Sequence, residues 1–385
     1  MRRRTQTRSP RSNRGRRAAP DVRTARPDPA KAQEYEVETV IGLEEYARRE
    51  VRRLLGKAAQ VERDASEGRF TLRYDGNIRR FDELRTITAV HRVENFAVPR
   101  PRALLGHQHL TRLLGIIHFI IASRSDGAFR TFRITAAGAG SGVYLRLRQE
   151  IASATGLDPT DGAANLHIAV RRAAGDDAGW QVLIRTSAMP LSARRWRVCD
   201  MPGALNATVA SVMASLARPR QNERVLNLCC GSGTLMIERL GLGAAASVTG
   251  VDNSADALEC ADTNLRAAGH RTPVALLQED CANLPLPDAS IDTITADLPF
   301  GMLQDGSSDI EALYRSMLAE SARVATPNGL LVLITTRRRT MLSTLDDNSN
   351  WDLANEVPLS ISHSRGYIKP HIYVLRRGRN TDSRL

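Results

Sequence analysis

Lysine is scarce in this chain. Of 54 basic residues among 385, only Lys31, Lys57 and Lys369 are lysine, so the positive charge is almost wholly arginine. No Gly-Lys-Ser/Thr run occurs, which excludes a phosphate-binding P-loop. The five cysteines, at 199, 229, 230, 260 and 281, are odd in number and include no Cys-x-x-Cys pair. That pattern predicts neither a disulfide framework nor a zinc ribbon, no metal site, and a reducing cytoplasm. The longest apolar run, residues 113–122, contains His118 and is too short to cross a bilayer. The arginine-rich start has no apolar stretch behind it, so no secretory signal is expected.

What is present divides unevenly. The net charge is +12, with 42% hydrophobic residues. Residues 1–32 hold 11 basic against 2 acidic side chains, residues 33–222 hold 28 against 20, and residues 223–385 hold 15 against 20. A basic front half and an acidic back half suggest a polyanion gripped at one end and chemistry at the other. Arginine richness as a general habit of the sequence is the plainer alternative.

Residues 1–33 mix Arg, Ser, Pro and Ala without apolar periodicity and read as a disordered basic tail. Strand, helix, strand and helix-like patterns follow in residues 34–102, an α+β module closed at its first helix by Gly56. A second module, 103–190, begins with QHLTRLLGIIHFIIA, read as a buried helix. It continues through a strand, the glycine-rich loop 136–142, an amphipathic helix ending at Gly156, and two more strands. The glycine loop is suited to phosphate only weakly. Residues 191–222 form a linker and helix, where Arg194, Arg195 and Arg197 surround Trp196. This mixture suits either bases and phosphates or a linker with a buried tryptophan.

From residue 223 to 385 strands and helices alternate, predicting a doubly wound, mostly parallel Rossmann-like sheet with ligands at the carboxyl ends of its strands. The first such end is NLCCGSGT, residues 227–234, with Gly231 and Gly233 allowing close backbone approach. Met236 stands where a dinucleotide fingerprint needs a third glycine, which disfavours a dehydrogenase. Asp252 ends the second strand and is placed for ribose hydroxyls, while Asp280, one strand on, is placed for an adenine amine.

The fourth strand end carries ADLPFG, residues 296–301. Asp297 supplies an acceptor-only carboxylate, Pro299 stiffens the turn and Phe300 offers a face on which an extruded base stacks. Methylating an exocyclic amine requires its delocalised lone pair to be turned toward an electrophile. Acceptors from Asp297 and the Leu298 carbonyl would do this by positioning alone. Guanine shows two adjacent donors, N1–H and the N2 amine, which a carboxylate matches better than adenine's donor and acceptor. Pyrimidine C5 chemistry is disfavoured because no Pro-Cys dipeptide exists.

NLCCGSGT, GVDNS, QEDCANLP and DLPFG resemble the motifs of class I S-adenosylmethionine-dependent RNA methyltransferases. FRITAAGAGSGVYLRLRQEIA and NLHIAVRR resemble a THUMP domain, and together, over about residues 35–385, the chain is most similar to THUMP-containing tRNA guanine-N2 methyltransferases. The resemblance implies an N-terminal ferredoxin-like domain (34–102), a THUMP RNA-binding domain (103–190) and a methyltransferase domain (223–385). It implies S-adenosylmethionine as cofactor, held by Asn227, Cys229, Gly231, Gly233, Thr234, Asp252, Asn253, Asp280, Cys281 and Asp297. Asp297, Pro299 and Phe300 would hold the target base. Arg130, Arg133, Arg146 and Arg148 would join Arg194, Arg195 and Arg197 in gripping the acceptor end of tRNA, in a cytoplasmic monomer. Ribosomal RNA, an adenine target and a vestigial, non-catalytic fold remain as alternatives.

Overall fold

The computed structural model describes residues 32–62, 67–173, 179–298, 307–363 and 366–378. The basic tail, Pro299 and Phe300 lie outside these.

The first half runs β1 (Gln33–Glu38), α1 (Glu44–Leu55), β2 (Ala59–Val61), β3 (Arg69–Tyr74), β4 (Ala89–Phe96), α2 (His107–Ala122), β5 (Thr131–Ala136), α3 (Gly142–Thr155), β6 (Asp158–Pro159), β7 (Leu166–Arg172) and β8 (Trp180–Arg185). Its strands form one eight-stranded sheet in the order β2-β3-β1-β4-β8-β7-β5-β6. The seam between segments 34–102 and 103–190 is the antiparallel pair β4–β8, running from His91 opposite Arg185 to Phe96 opposite Trp180. A single apolar core, from Val37 through Leu113 to Ile184, lies beneath both segments. The two segments are therefore one continuous sheet.

Local chemistry explains most of these elements. Gly56 closes α1 at φ +63°, and Gly156 closes α3 in the left-handed region at φ +71°. The helix-like run after Asn77 is a 3-10 turn, Ile78–Glu83, whose first turn is capped by the Asn77 side chain accepting from Arg79 N. The β-branched residues Thr86, Ile87 and Thr88 do not extend it. The helix α2 departs from the fully buried one expected: Leu113, Ile117 and Ile120 form its buried stripe, while Phe119 is 59% exposed. Its apolar residues outnumber what one face can bury.

The second half runs α4 (Ala207–Leu216), β9 (Arg224–Leu228), α5 (Thr234–Leu240), β10 (Ser247–Asp252), α6 (Ala255–Ala268), β11 (Val274–Gln278), β12 (Ile291–Asp297), α7 (Ser307–Val324), β13 (Ala325–Thr335), α8 (Arg338–Asp346), β14 (Trp351–Pro358), β15 (Ile361–His363), β16 (Gly366–Ile368) and β17 (His371–Arg377). Its seven-stranded sheet has the order β11-β10-β9-β12-β13-β17-β14. The first five strands are parallel, and β17 inserts antiparallel to both β13 and β14. β9 lies between β10 and β12, where the order of connection reverses, so the carboxyl ends of these three strands border the crevice that such folds use for ligands.

The helix α4 is buried nearly all round, from Ala207 to Ala214. It packs between the halves, because its Val209, Val212 and Met213 share a core with Val40 and Leu43 of the first half and Ile334 and Ile372 of the second. A single β-bridge, Ile41 to Ser360, adds a backbone tie.

Candidate functional site

The chain leaves β9 through a loop with three left-handed residues in five, Cys229 (φ +49°), Gly231 (φ +49°) and Gly233 (φ +81°). Only glycine takes that backbone freely, and the loop is held by Cys230 N donating to Val251 O and Gly233 N donating to Cys230 O, both at 2.9 Å. Met236, in place of the fingerprint's third glycine, is accommodated from the opposite side. A Cβ on Gly250 of β10 would sit 2.7 Å from its sulfur, so the strand supplies the close approach that the helix lacks.

Asp252 buttresses this loop. Its Oδ2 accepts from Gly231 N at 2.8 Å and its Oδ1 from Ser254 N at 3.1 Å, which fixes the carboxylate at the end of β10 with lone pairs left over. Asp280 and Asn253 are exposed, just beyond the carboxyl ends of β11 and β10, Asp280 Oδ1 accepting from Ala282 N at 2.9 Å. Thr234 opens α5 with its Oγ1 accepting from Arg197 Nη2 at 2.8 Å. Asn227, expected to line the pocket, is instead fully buried in the sheet, and its Nδ2 donates to Thr295 O at 3.0 Å. It ties β9 to β12 beneath the loop. Cys229 and Cys281 are hydrogen-bonded to each other, and that bond, with burial, pushes the Cys229 thiol up and keeps it protonated.

Asp297 sits at the end of β12. Its Oδ1 is shielded from solvent and has no hydrogen-bond partner among the described residues. Burial alone pushes its carboxyl up to about 7. Such a group titrates near neutrality, as perturbed carboxyls at functional sites do. It faces a cleft with Cys229, Gly231 and Ser232 on one wall and Met201, Gly203 and Leu205 on the other. The second wall was not legible as site; its sequence reads as linker.

The arginines around Trp196 support the plainer of their two readings. Arg194 is 7% exposed and donates to Glu238 Oε1 at 2.8 Å and to the Arg85 carbonyl at 2.6 Å. Arg197 donates to Leu205 O at 2.7 Å and lies over the Trp196 ring, 5.6 Å from its centroid. Arg194 ties the first half to α5, and Arg197 ties the linker to the start of α5, so both guanidinium groups are taken up by internal bonds rather than set on an RNA surface. Arg195 and Arg130 are exposed. Arg146 pairs with Glu150, Arg148 pairs with Asp161, and Arg133 is half-buried. The cysteine spacing predicts no disulfide, yet Cys199 and Cys260 form one across 61 residues, with Cα atoms 5.5 Å apart. The chain brings them together only once α6 is packed.

Residues 194–365 match the family described as UPF0020: RMKL-like, methyltransferase domain. Over these residues, somewhat less than half of the chain, it is similar to a methyltransferase domain. The chain is 39% identical over 130 residues to a Bos taurus protein named U6 snRNA (guanine-N(2))-methyltransferase THUMPD2, covering 34% of this chain and 25% of that one. It is 28% identical over 189 residues to a Mus musculus protein named tRNA (guanine(6)-N(2))-methyltransferase THUMP3, covering 46% and 37%. The chain thus spans between a quarter and two fifths of the length of these curated relatives. In structure it resembles TrmN from Thermus thermophilus, at a TM-score of 0.68 and 20% identity over 90% of this chain and 99% of that one. That likeness extends the shared fold across both halves. The glycine loop, Asp252 and Asp280 follow β9, β10 and β11, and Asp297 ends β12, with β10, β9 and β12 side by side in the sheet.

Proposed function

We propose that the chain transfers a methyl group from S-adenosylmethionine to the exocyclic N2 amine of a guanosine in RNA, and that the RNA is a tRNA. The unpartnered, shielded Oδ1 of Asp297, facing the glycine-loop cleft, is the observation that carries this reading. The loop fits the cofactor: Gly231 has open space beside its Cα and a backbone that no side chain takes easily. The wall of Cys229–Gly233 would hold its amino-acid portion, and Asp252 its ribose. When bound, S-adenosylmethionine supplies an electrophilic methyl on a sulfonium.

The residues of the chain do the rest. Asp297 in its ionised form accepts an N–H of the guanine amine, turning the nitrogen lone pair out of conjugation and toward the cleft. As the N–C bond formed, the donor's sulfur–methyl bond would break with its electron pair left on a neutral thioether, and the nitrogen would gain positive charge and have to lose a proton. Asp297 Oδ1, with a pKa near 7, is matched to receive it at neutral pH. The eight-stranded sheet, with exposed Arg130, acts as the RNA grip, in the role the THUMP resemblance implies, and presents the acceptor end. The experiment is incubation with labelled methyl donor and separate pools of tRNA, U6 small nuclear RNA, ribosomal RNA and DNA. N2-methylguanosine in the tRNA pool supports the reading; methylated adenosine, or no label in any pool, overturns it.

A further inference from the structure

The second wall of the cleft is a strap, residues 198–205, that crosses in front of the glycine loop without belonging to the sheet. We propose that Asn264, a residue of α6 remote in sequence from both walls, is the positioning residue that sets their separation and thereby the affinity for the methyl donor. This rests on the reading of the cleft as the donor site.

Asn264 is fully buried. Its Oδ1 accepts from Val198 N and Cys199 N, both at 2.9 Å, at the start of the strap. Its Nδ2 donates to the Cys199 carbonyl at 2.9 Å and to the Ser232 carbonyl, in the middle of the glycine loop, at 3.0 Å. One carboxamide therefore uses both acceptor sites and both donors, and it bonds to strap and loop at once. Asparagine inside a helix is otherwise unfavourable, and an apolar residue here would strand four backbone groups. No other residue type has this combination on so short a stem. At the far end of the strap Arg197 donates to Leu205 O and Thr234 Oγ1, and the Cys199–Cys260 bond pins the near end to α6 a second time. The strap is thus fixed at both ends, and its middle, Met201–Ala204, lines the cleft.

Two substitutions separate positioning from simple support. Asn264→Asp keeps the shape and the bonds from the Val198 and Cys199 N–H groups but loses both donors, to the Cys199 and Ser232 carbonyls. Asn264→Ala loses all four. Calorimetry with S-adenosylmethionine should show the Kd raised at least tenfold in both, with RNA affinity unchanged within twofold. In Asn264→Asp, protonation restores one donor, so its Kd should fall back toward wild type as pH is lowered, which mere support of the fold does not predict. A folded variant that binds donor as wild type does overturns the proposal. If neither variant folds, hydrogen exchange on the wild-type chain decides: S-adenosylhomocysteine should slow exchange at residues 198–205 together with 229–234, and slowing at 229–234 alone overturns it. Absence of donor binding by the wild-type chain would instead defeat the methyltransferase reading itself.

Discussion

Arg85 and Glu238 meet across 153 residues of chain, with Nε to Oε2 and Nη2 to Oε1 both at 2.8 Å. Arg85 belongs to the first half and Glu238 to α5, the helix that begins at the glycine loop. Glu238 is fully buried, so the planar guanidinium fork satisfies a carboxylate that water cannot reach, with Arg194 as its third donor. Removing Arg85 leaves the buried Glu238 carboxylate with Arg194 as its remaining cationic partner and takes away two charge-assisted hydrogen bonds. Arg85→Ala should cost roughly 2 kcal/mol of stability, seen as a lower Tm. Donor affinity should hardly change, while methylation of RNA falls because the grip and the cleft are no longer fixed to each other. Equal loss of donor binding would contradict the clamp's assignment.

Asp297 should govern the pH profile. Its ionised form is the acceptor, so kcat/KM should rise about tenfold per pH unit below about 7 and level off above it. Asp297→Asn should lower kcat about 10²- to 10⁴-fold while donor and RNA still bind. The same group affects stability. Its folded pKa lies above the ordinary carboxyl value, so between about pH 4 and pH 7 the folded state keeps a proton that the unfolded state has lost. Stability from this group is present below the unfolded pKa and is lost as pH rises through about 7. Denaturant titrations of Asp297→Asn should lack that decline.

The Cys199–Cys260 bond closes a 61-residue loop, for which chain entropy predicts about 4 kcal/mol. A thiol reductant should lower Tm of the wild type, and Cys199→Ser should show the lowered Tm with or without reductant. Tm insensitive to reductant would mean that the bond is absent in solution.

The arginines should separate by burial. Arg130→Ala and Arg195→Ala, both exposed, should each weaken RNA binding and reduce the salt slope by about 1 without changing Tm. Arg194→Ala should act chiefly on Tm, because its guanidinium is bonded to Glu238 and to the Arg85 carbonyl.

The strand ends were the legible part of this protein. Hydrophobic alternation located β9, β10 and β12, and an acid or glycine at each end marks where ligands meet such sheets. What local pattern could not show depends on residues far apart meeting. The β4–β8 pairing merges two modules into one sheet, and β17 is read only after β13 and β14 are placed. Asn227 and Asn264 are both asparagines near the cleft, but which lines it and which braces it follows from packing alone. Likewise Arg194 and Arg197 look like a nucleic-acid patch until Glu238, Leu205 and Thr234 are seen to absorb them.

Asp297 beside the glycine loop is the centre of the account. The most direct measurement is nucleoside mass spectrometry of tRNA incubated with S-adenosylmethionine and either the wild-type chain or Asp297→Asn. The account predicts N2-methylguanosine from the wild type and almost none from the variant. Equal yields from the two, or methylation on a base other than guanine, would contradict it.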